Sequence, residues 1–553
     1  MILPAPVVLL ILDGWGIAPP GPGNAISQST ASEIPRLMKM YPSTELAASG
    51  ESVGLPPGED GNTETGHINI GAGRIVFQDL PRINQSVSDH SFHQNQTFLD
   101  AFRYAKKHNS NIHLMGLVSD GGVHAQMSHL YALLEIAKAE QFGEKVYLHL
   151  FTDGRDSFPT SGVRFLEEVT KRCISLGAGK IATVMGRYFG MDRDHHWERT
   201  EKAYRALTEG IGKISADPIS VMRDSYAKGV TDEFIDPIVC QGNDGKLIPR
   251  ISNHDSIIFF NYRIDRPRQL TEAFIRSDFE TYKDIAPSFD PYAVKYFHKH
   301  IADEDISSLH FQRKVILPDI FFVTMTEYER GLSASVAFPP DKIIHPFGEV
   351  ISEAGFRQLR LSESEKERFV TYYFNGMREI PFPGEDRIII PSPRVATYDL
   401  APEMSLKTLT NTLLDRIESG IYSCIIVNIA NADMVAHTGN IKQAIKACEL
   451  IDTSVGRIVS RVLSQKGSCV ITADHGNVEE MLSPDGGIDT EHSVFPVPLI
   501  VVNKNLEGCT GFMSKGVLGD VAPTLLSLLG LQVPKEMTGR NLLIDCIHKG
   551  GSI

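Results

Sequence analysis

Several features are missing from this 553-residue sequence, and each absence excludes a class of protein. No stretch approaches the roughly 18 apolar residues that a membrane span needs. The N-terminus has no basic segment, and its apolar run is too short for a signal peptide. The net charge is −14, and the sequence contains no run of lysine and arginine. Nucleic acid is therefore not an expected partner. The seven cysteines lie far apart without a CxxC pair, as in a reduced, cytoplasmic protein.

Length and composition indicate more than one globular domain. Domains usually contain about 100–200 residues. Hydrophobic residues make up 42% of the chain and charged residues 22%, which is ordinary globular composition. We therefore expect at least two domains, each large enough to bury a core.

One arrangement recurs along the chain: a short apolar run rich in β-branched residues ends in a polar loop. The runs are Val7–Leu12, Ile112–Val118, Val146–Phe151, Ile181–Met185, Ser256–Phe260, Cys424–Ile429 and Cys469–Ile471. Continuous apolar runs of this length are typical of strands buried on both faces of a parallel sheet. Helical patterns lie between them, at Leu130–Ala139 and Ile441–Leu463. The sequence therefore predicts an α/β fold.

The polar loops are of two chemical kinds. Loops near the two ends of the chain carry Asp and His, whereas loops between about 110 and 270 carry Arg. Ligands in open α/β sheets bind outside the carboxyl ends of the strands. We expect a metal-binding domain formed by residues 1–77 and 336–553, interrupted by an anion-binding domain at 78–335. Residues 275–320 are polar and irregular, and we expect them to be a peripheral elaboration.

Six Asp and His side chains are candidate metal ligands. They are Asp13, Asp433, His437, Asp474, His475 and His492. Asp433 and His437 lie one turn apart if a helix begins after their loop. Carboxylate and imidazole ligands without thiolate suit Mn²⁺, Mg²⁺ or Zn²⁺, and six such groups fit two metal ions about 3.5–4 Å apart. Each residue alone is explained as well by an ordinary turn.

Thr63 is the candidate nucleophile. It lies within the glycine-bracketed segment 61–67, of sequence GNTETGH, where a helix is expected to begin. A helix N-terminus favours a bound phosphate, and metal coordination makes a hydroxyl available as an alkoxide near neutral pH. Local sequence favours a simpler alternative, in which Thr63 only caps the helix.

Five arginines follow strand ends in the central part of the chain: Arg155, Arg187, Arg193, Arg263 and Arg266. Arginine offers planar, bidentate donors suited to carboxylate and phosphate. Together they would hold a small, highly charged substrate. The alternative is that they pair with nearby acids, for which Asp192, Asp194 and Asp265 are available.

These motifs resemble those of the cofactor-independent phosphoglycerate mutases, members of the alkaline phosphatase superfamily. The likeness runs nearly end to end, from Leu12-Asp13-Gly14-Trp15-Gly16 to Thr538-Gly539-Arg540. It includes Ser119–His124, Met185–Tyr188, Met191–Asp194, Thr324–Tyr328, Ala396–Leu400, Asp433–Asn440 and Thr472–Asn477. The resemblance implies an alkaline-phosphatase-like metal domain with an inserted second α/β domain that binds phosphoglycerate.

The resemblance also implies the site residues. One divalent metal would lie on Asp433, His437 and His492, and a second on Asp13, Asp474, His475 and the Thr63 oxygen. Manganese is the expected metal, with Mg²⁺, Co²⁺ and Zn²⁺ as alternatives. The implied substrate-binding residues are His124, Arg155, Asp156, Arg187, Arg193, Arg263, Arg266 and Lys366. No bisphosphoglycerate cofactor and no membrane partner are expected, and the family suggests a monomer.

The implied reaction interconverts 3-phosphoglycerate and 2-phosphoglycerate in glycolysis and gluconeogenesis, through a phosphothreonine at Thr63. Asp156 would move the hydroxyl proton, and Lys366 would stabilise charge on the transferring group. Closure of the arginine-bearing domain over the metal domain would exclude water.

Position 63 departs from the family. The family motif is Gly-Asn-Ser-Glu-Val-Gly-His, so Thr63 and Thr65 both differ from it. Threonine keeps the hydroxyl, and the related phosphopentomutases use threonine in this role, but its extra methyl restricts χ1. Two alternatives therefore stay open: a phosphatase or other phosphomutase on the same scaffold, and a metal-binding relative with a weakened nucleophile.

Overall fold

A computed structural model describes residues 5–282, 310–510 and 513–544. The chain packs into two compact units, the first comprising Met1–Pro81 with Asp341–Ile553 and the second Arg82–Pro340. The division falls a few residues beyond the expected boundaries after residues 77 and 335. Most of the predicted elaboration at 275–320 lies outside the described residues, as does Cys546.

Strands and helices alternate along the chain. The strands are β1 (Val7–Leu12), β2 (Ser43–Ala47), β3 (Ile112–Val118), β4 (Val146–Thr152), β5 (Lys180–Gly186), β6 (Lys213–Ser215), β7 (Ile238–Cys240), β8 (Ser256–Phe259), β9 (Phe321–Thr326), β10 (Ser335–Phe338), β11 (Gln358–Glu363), β12 (Glu385–Ile390), β13 (Cys424–Ile429), β14 (Ser468–Thr472), β15 (Val497–Val502) and β16 (Gly516–Val517).

The helices of the described residues are α1 (Ala25–Gln28), α2 (Glu33–Met40), α3 (Thr63–Ala72), α4 (Asp79–Ser88), α5 (Gln96–His108), α6 (Met127–Ala139), α7 (Gly162–Leu176), α8 (Arg187–Gly190), α9 (Trp197–Thr208), α10 (Pro218–Ala227), α11 (Arg268–Ile275), α12 (Phe347–Glu353), α13 (Leu406–Glu418), α14 (Asn431–Ala436), α15 (Ile441–Ser464) and α16 (Val521–Leu528). Single helical turns connect several of them.

The first unit is built on a sheet with the strand order β12-β11-β13-β1-β14-β15-β2-β16. The strands from β12 to β14 are parallel, whereas β15 runs antiparallel to both of its neighbours. Every residue of β1, β13 and β14 is buried. The carboxyl ends of β11, β13, β1 and β14 therefore lie at one edge of the sheet.

The second unit has its own sheet, with the order β10-β9-β8-β3-β4-β5-β7-β6. Neighbouring strands are parallel except β5 and β7. Strands β3 and β4 are buried throughout. The loops that follow β3, β4, β5 and β8 thus leave the sheet at a common edge.

Helix α15 shows how the layers of the first unit are joined. Its buried residues recur every three or four positions and pack on the core, as expected of an amphipathic helix. Its Asp452 carboxylate accepts from the backbone N–H groups of Ser32, Glu33 and Ile34 at 2.7–2.9 Å. Asp452 therefore caps the N-terminus of α2, whose own Ser32 side chain makes no capping hydrogen bond.

The predicted α/β fold is confirmed, and all seven predicted strands are present with limits that differ by one residue at most. The expectation of parallel sheets needs a correction, because β15 is antiparallel to both of its neighbours and β7 is antiparallel to β5. The loops that precede β7 and β15 have no residue pattern that predicts a change of strand direction.

The described part of the chain contains no helix that is both long and apolar enough to span a membrane.

His129 of α6 predicts an acid-sensitive second unit. The side chain is fully buried, its Nε2 lies 2.8 Å from Asn84 Oδ1, and burial lowers its pKa to about 3. An unfolded histidine has a pKa of about 6.5, so the unfolded chain binds more protons between these values. The stability that His129 provides is complete above pH 6.5 and declines below it, by about 2 kcal/mol at pH 5.

Urea unfolding at pH 7 and pH 5 tests this expectation. Trp15 and Trp197 are the two tryptophans of the chain, one in each unit, so fluorescence of a Trp15→Phe protein follows the second unit alone. Adding His129→Gln should reduce the loss of stability between the two pH values. An equal loss with and without His129 would contradict the assignment.

Candidate metal centre and active site

Polar side chains follow four strand ends of the first unit. Asp13 directly follows β1, and Asp474 lies two residues beyond β14. Asp433 lies in α14, which begins two residues after β13. Lys366 closes a single helical turn directly after β11. Because these strands are parallel neighbours, the side chains gather at one edge of the sheet.

Asp433, His437 and His492 form the first ligand group, with ligand atoms that all lie within 4.8 Å of one another. His437 Nε2 lies 3.2 Å and His492 Nε2 3.4 Å from Asp433 Oδ1. Their Nδ1 atoms face the backbone carbonyls of Thr490 and Gly61. These carbonyls orient both rings with Nε2 toward the carboxylate, as is usual for histidines that ligate metal.

Asp13, Asp474 and His475 form the second ligand group, within the same distance limit and with all three residues fully buried. His475 Nε2 lies 3.6 Å from Asp13 Oδ1 and 3.5 Å from Asp474 Oδ2. His67 Nδ1 lies 3.3 Å from Asp474 Oδ2 but makes no well-directed hydrogen bond to it. The donor set and this poorly satisfied buried oxygen fit a divalent cation.

Lys366 joins the two groups. Its Nζ donates to Asp13 Oδ1 at 2.7 Å and to Asp433 Oδ2 at 2.8 Å. Burial by itself lowers the pKa of a lysine, but the charges of Asp13 and Asp433 raise the pKa of Lys366 above its ordinary value. Burial by itself raises the pKa of a carboxyl group, but the charge of Lys366 holds the pKa of Asp433 well below its ordinary value. Lys366 is therefore charged and Asp433 is ionised.

Thr63 is the first residue of α3, and Asn62 is the residue that caps this helix. Asn62 Oδ1 accepts from the Thr65 backbone N–H at 2.9 Å. The Thr63 hydroxyl instead lies 2.9 Å from His475 Nε2 and 3.1 Å from Lys366 Nζ. The alternative in which Thr63 serves only as a cap is therefore wrong, and its hydroxyl faces the second ligand group.

Two glycines allow the polypeptide to approach this closely. A β-carbon on Gly66 would lie 2.4 Å from the Asp474 carbonyl oxygen, so α3 could not pack against that turn. Gly14 has a φ of +73°, and a β-carbon there would lie 2.8 Å from Asp433 Cβ. Both positions require glycine because there is no space for a β-carbon. Gly14 requires it also because its backbone is in the left-handed region.

Four buried polar residues that support the ligands were missed by the sequence analysis: His67, Asn428, Asn477 and Glu479. Asn428 Nδ2 donates to Asp13 Oδ2 at 2.6 Å, and Asn477 Nδ2 donates to Asp433 Oδ1 at 2.9 Å. Glu479 Oε2 accepts from the Asn477 backbone N–H at 2.9 Å. A signal existed at Asn428, which is the one polar side chain in the apolar run Cys424–Ile429.

In the second unit, Arg187 and His124 are the most deeply buried members of the proposed substrate-binding set. Arg187 Nη1 donates to Asp153 and Asp156, and its Nη2 lies 2.9 Å from His124 Nε2. Burial, followed by the charge of Arg187, lowers the pKa of His124 to about 3. His124 is therefore neutral, and its Nε2 accepts a hydrogen bond from Arg187.

The remaining arginines are partly paired with acids, as the alternative interpretation expected. Arg193 and Arg263 both donate to Asp265, and Arg155 lies 3.7 Å from Glu233. Arg266 Nη1 donates to the Met191 carbonyl oxygen. Of the acids expected to pair with them, Asp192 accepts from Arg199 instead.

The surroundings of Arg266 suit a bound anion. Burial, followed by the positive charges of Arg187 and Arg193, lowers its pKa to about 10. A guanidinium that is buried among like charges is stabilised when an anion binds beside it.

Fold and site together define an α/β protein with two groups of candidate metal ligands beside a hydroxyl. A family profile described as "BPG-independent PGAM N-terminus" matches residues 83–330. This chain belongs to the 2,3-bisphosphoglycerate-independent phosphoglycerate mutase family, as its relatives show.

Two curated relatives carry that family name. The one from Moorella thermoacetica is 47% identical over 539 residues, which cover 98% of each chain. The one from Chloroflexus aggregans is 46% identical over 548 residues, covering 98% of this chain and 99% of the relative. A solved structure of Leishmania mexicana phosphoglycerate mutase at low cobalt concentration aligns with a TM-score of 0.52 at 26% identity, covering 97% of both chains.

The two ligand groups predict two separable metal sites. Metal-free protein titrated with Mn²⁺ in a calorimeter should bind two ions. His437→Ala should weaken one site by at least about 100-fold and His475→Ala the other, since loss of even an outer partner of a ligand costs about 10- to 100-fold. His108→Ala, at an exposed histidine of the second unit, is the control. Two unchanged sites in either ligand variant would refute the grouping.

Proposed function

We propose that this chain interconverts 3-phosphoglycerate and 2-phosphoglycerate without a bisphosphoglycerate cofactor, as its family membership indicates. The observation that carries the proposal is the place of the Thr63 hydroxyl. It lies 2.9 Å from His475 Nε2 and 3.1 Å from Lys366 Nζ, at the N-terminal turn of α3. A hydroxyl in this place is available for phosphoryl transfer rather than for helix capping.

Two divalent metal ions belong to the proposal, and Mn²⁺ is the metal that we infer. Asp433, His437 and His492 would hold one ion, and Asp13, Asp474, His475 and the Thr63 oxygen the other. Such ions supply charge stabilisation for the transferring phosphoryl group and lower the pKa of a coordinated hydroxyl. Mg²⁺, Co²⁺ and Zn²⁺ remain chemical alternatives for the same donors.

The chemistry that the chain itself supplies centres on Thr63. Its Oγ1 forms a bond to the substrate phosphorus while the phosphorus–oxygen ester bond of the substrate breaks. The proton of the Thr63 hydroxyl passes through Asp156 to the freed glycerate oxygen. The other glycerate hydroxyl then accepts the phosphoryl group from phosphothreonine, and its proton returns through Asp156 to Thr63 Oγ1. Lys366 offsets negative charge on the phosphoryl oxygens throughout.

The arginine set would hold the glycerate during this exchange. His124, Arg155, Arg187, Arg193, Arg263 and Arg266 are the residues proposed to bind it. Paired acids keep the arginines oriented, and a bound carboxylate or phosphate would take the place of part of that pairing. Closure of one unit over the other, expected from the family resemblance, stays a prediction. So do a monomeric state and a cytoplasmic location.

Thr63 provides the decisive test of the covalent step. Thr63→Ala should lower turnover of 3-phosphoglycerate by at least about 10³-fold, because loss of a nucleophile removes the chemical step itself. Thr63→Ser should keep or raise the rate, since it retains the oxygen and frees χ1. Formation of 2-phosphoglycerate is followed with a coupled enolase.

Thr65→Ala is the matched control, because the Thr65 hydroxyl donates back to the Asn62 carbonyl oxygen and not toward the ligands. Full activity of Thr63→Ala would refute the phosphothreonine. Release of inorganic phosphate in place of 2-phosphoglycerate by the unmodified protein would favour the phosphatase alternative.

Arg266 tests the role of the second unit. Arg266→Gln should raise the KM for 3-phosphoglycerate by about 10- to 100-fold, the usual effect of losing charged hydrogen bonds. Arg223→Gln removes an arginine that pairs with Glu167 at the surface of the same unit and should leave the KM unchanged. An unchanged KM in Arg266→Gln would exclude this arginine from substrate binding.

A further inference from the structure

Two buried polar side chains lie beside the proposed nucleophile and its neighbouring ligands and form a hydrogen-bonded chain. It consists of His67 and Asn428, both fully buried. His67 Nδ1 lies 2.8 Å from the Thr63 carbonyl oxygen and 3.3 Å from Asp474 Oδ2. His67 Nε2 lies 3.2 Å from Asn428 Nδ2, which also donates to Asp13 Oδ2 at 2.6 Å.

The donors and acceptors of this chain permit one arrangement. The Asp13 carboxylate can only accept, so the amide nitrogen of Asn428, and not its oxygen, must face it. The second hydrogen of that nitrogen points to His67 Nε2, which must therefore accept. His67 Nδ1 then carries a proton and donates to the Thr63 carbonyl oxygen. The orientation of one amide thus sets the tautomer of the histidine.

Three separate elements meet through these two side chains. Asn428 lies in β13 and pairs in register with Ile11 of β1, the strand that ends at Asp13. His67 lies one turn after Thr63 in α3. The chain therefore connects the strand that carries one ligand, the helix that carries the nucleophile and the turn that carries Asp474.

We infer that Asn428 and His67 are positioning residues that fix Asp13 and Asp474 relative to Thr63. The inference rests on the ligand groups of the proposed function and extends it to two residues beyond the ligands. Partners that orient metal ligands typically contribute about 10- to 100-fold to metal affinity. Asn477 stands in the same relation to the first group, because its Nδ2 donates to Asp433 Oδ1.

A reciprocal experiment with Mn²⁺ alone as the probe tests this role. Protein carrying His437→Ala reads binding at the Asp13 group, and protein carrying His475→Ala reads binding at the Asp433 group. In the first background, Asn428→Ala should weaken Mn²⁺ binding by about 10- to 100-fold, and Asn477→Ala should not change it. In the second background, the two variants should exchange their effects.

Two variants of His67 give a second measurement that does not depend on Asn428. Asparagine in place of His67 puts its amide group near the position of the histidine Nδ1, whereas glutamine puts its amide group near the position of Nε2. His67→Asn should keep most of the affinity of the Asp13 group, and His67→Gln should lose about tenfold or more. The two replacements are similar in size, so this pair keeps the test decisive where Asn428→Ala fails to fold.

Equal weakening of both groups by Asn428→Ala and Asn477→Ala would reduce these residues to general structural roles and overturn the inference. The same holds for equal affinities in His67→Asn and His67→Gln. A folded His437→Ala protein that binds no Mn²⁺ would overturn the ligand assignment of the proposed function, and the inference with it. The failure of the function and the failure of the positioning role are thus distinguishable.

Discussion

Three carboxylates buried in one small volume are the constraint on which the first unit depends. Asp13, Asp433 and Asp474 are each 1% exposed or less, so water cannot solvate them and their repulsion is poorly screened. Positive groups must therefore lie among them. Lys366 is one, and His475 is the second: burial alone lowers its pKa, but Asp474 and Asp13 raise the pKa of His475 to about 10. A cluster of this kind favours cations.

The sheet is what holds the repelling charges together. Strands β1, β13 and β14 are apolar and buried along their whole length, and burial of such surface is the main stabilising contribution in folding. The polar cluster, by contrast, costs stability. Because neighbouring parallel strands end at the same edge of the sheet, these three strands place the buried carboxylates of Asp13, Asp433 and Asp474 close to one another. The tight fits at Gly14 and Gly66 then leave little freedom to separate them.

The sequence predicted the strands well because a buried parallel strand reads as a continuous apolar run. It also predicted which loops carry polar chemistry, since those loops follow the runs directly. The reversal at β15 could not be predicted, because strand direction depends on the path of the chain between strands. The supporting residues were harder still. Asn428 and His67 acquire a role only from what they face, and no spacing along the chain encodes that contact.

Thr63 illustrates a further limit of local patterns. A threonine at the start of a helix is a typical N-cap residue. Asparagine is another, so the residue types alone cannot show whether Asn62 or Thr63 caps the helix. Asn62 takes that role through Thr65 N–H, and this choice leaves the Thr63 hydroxyl directed at His475. The Thr63 hydroxyl is free to face the ligand group because Asn62, and not Thr63, caps the N-terminus of the helix.

The two units solve opposite electrostatic problems. In the first, the buried Asp13, Asp433 and Asp474 surround the single lysine Lys366. In the second, Arg266 donates to a backbone carbonyl oxygen, and burial with the charges of Arg187 and Arg193 lowers the pKa of Arg266. A metal ion relieves the first imbalance and a carboxylate or phosphate relieves the second. The proposed substrate is a phosphorylated carboxylic acid, which carries one group of each kind: a phosphate suited to divalent metal and a carboxylate suited to arginine.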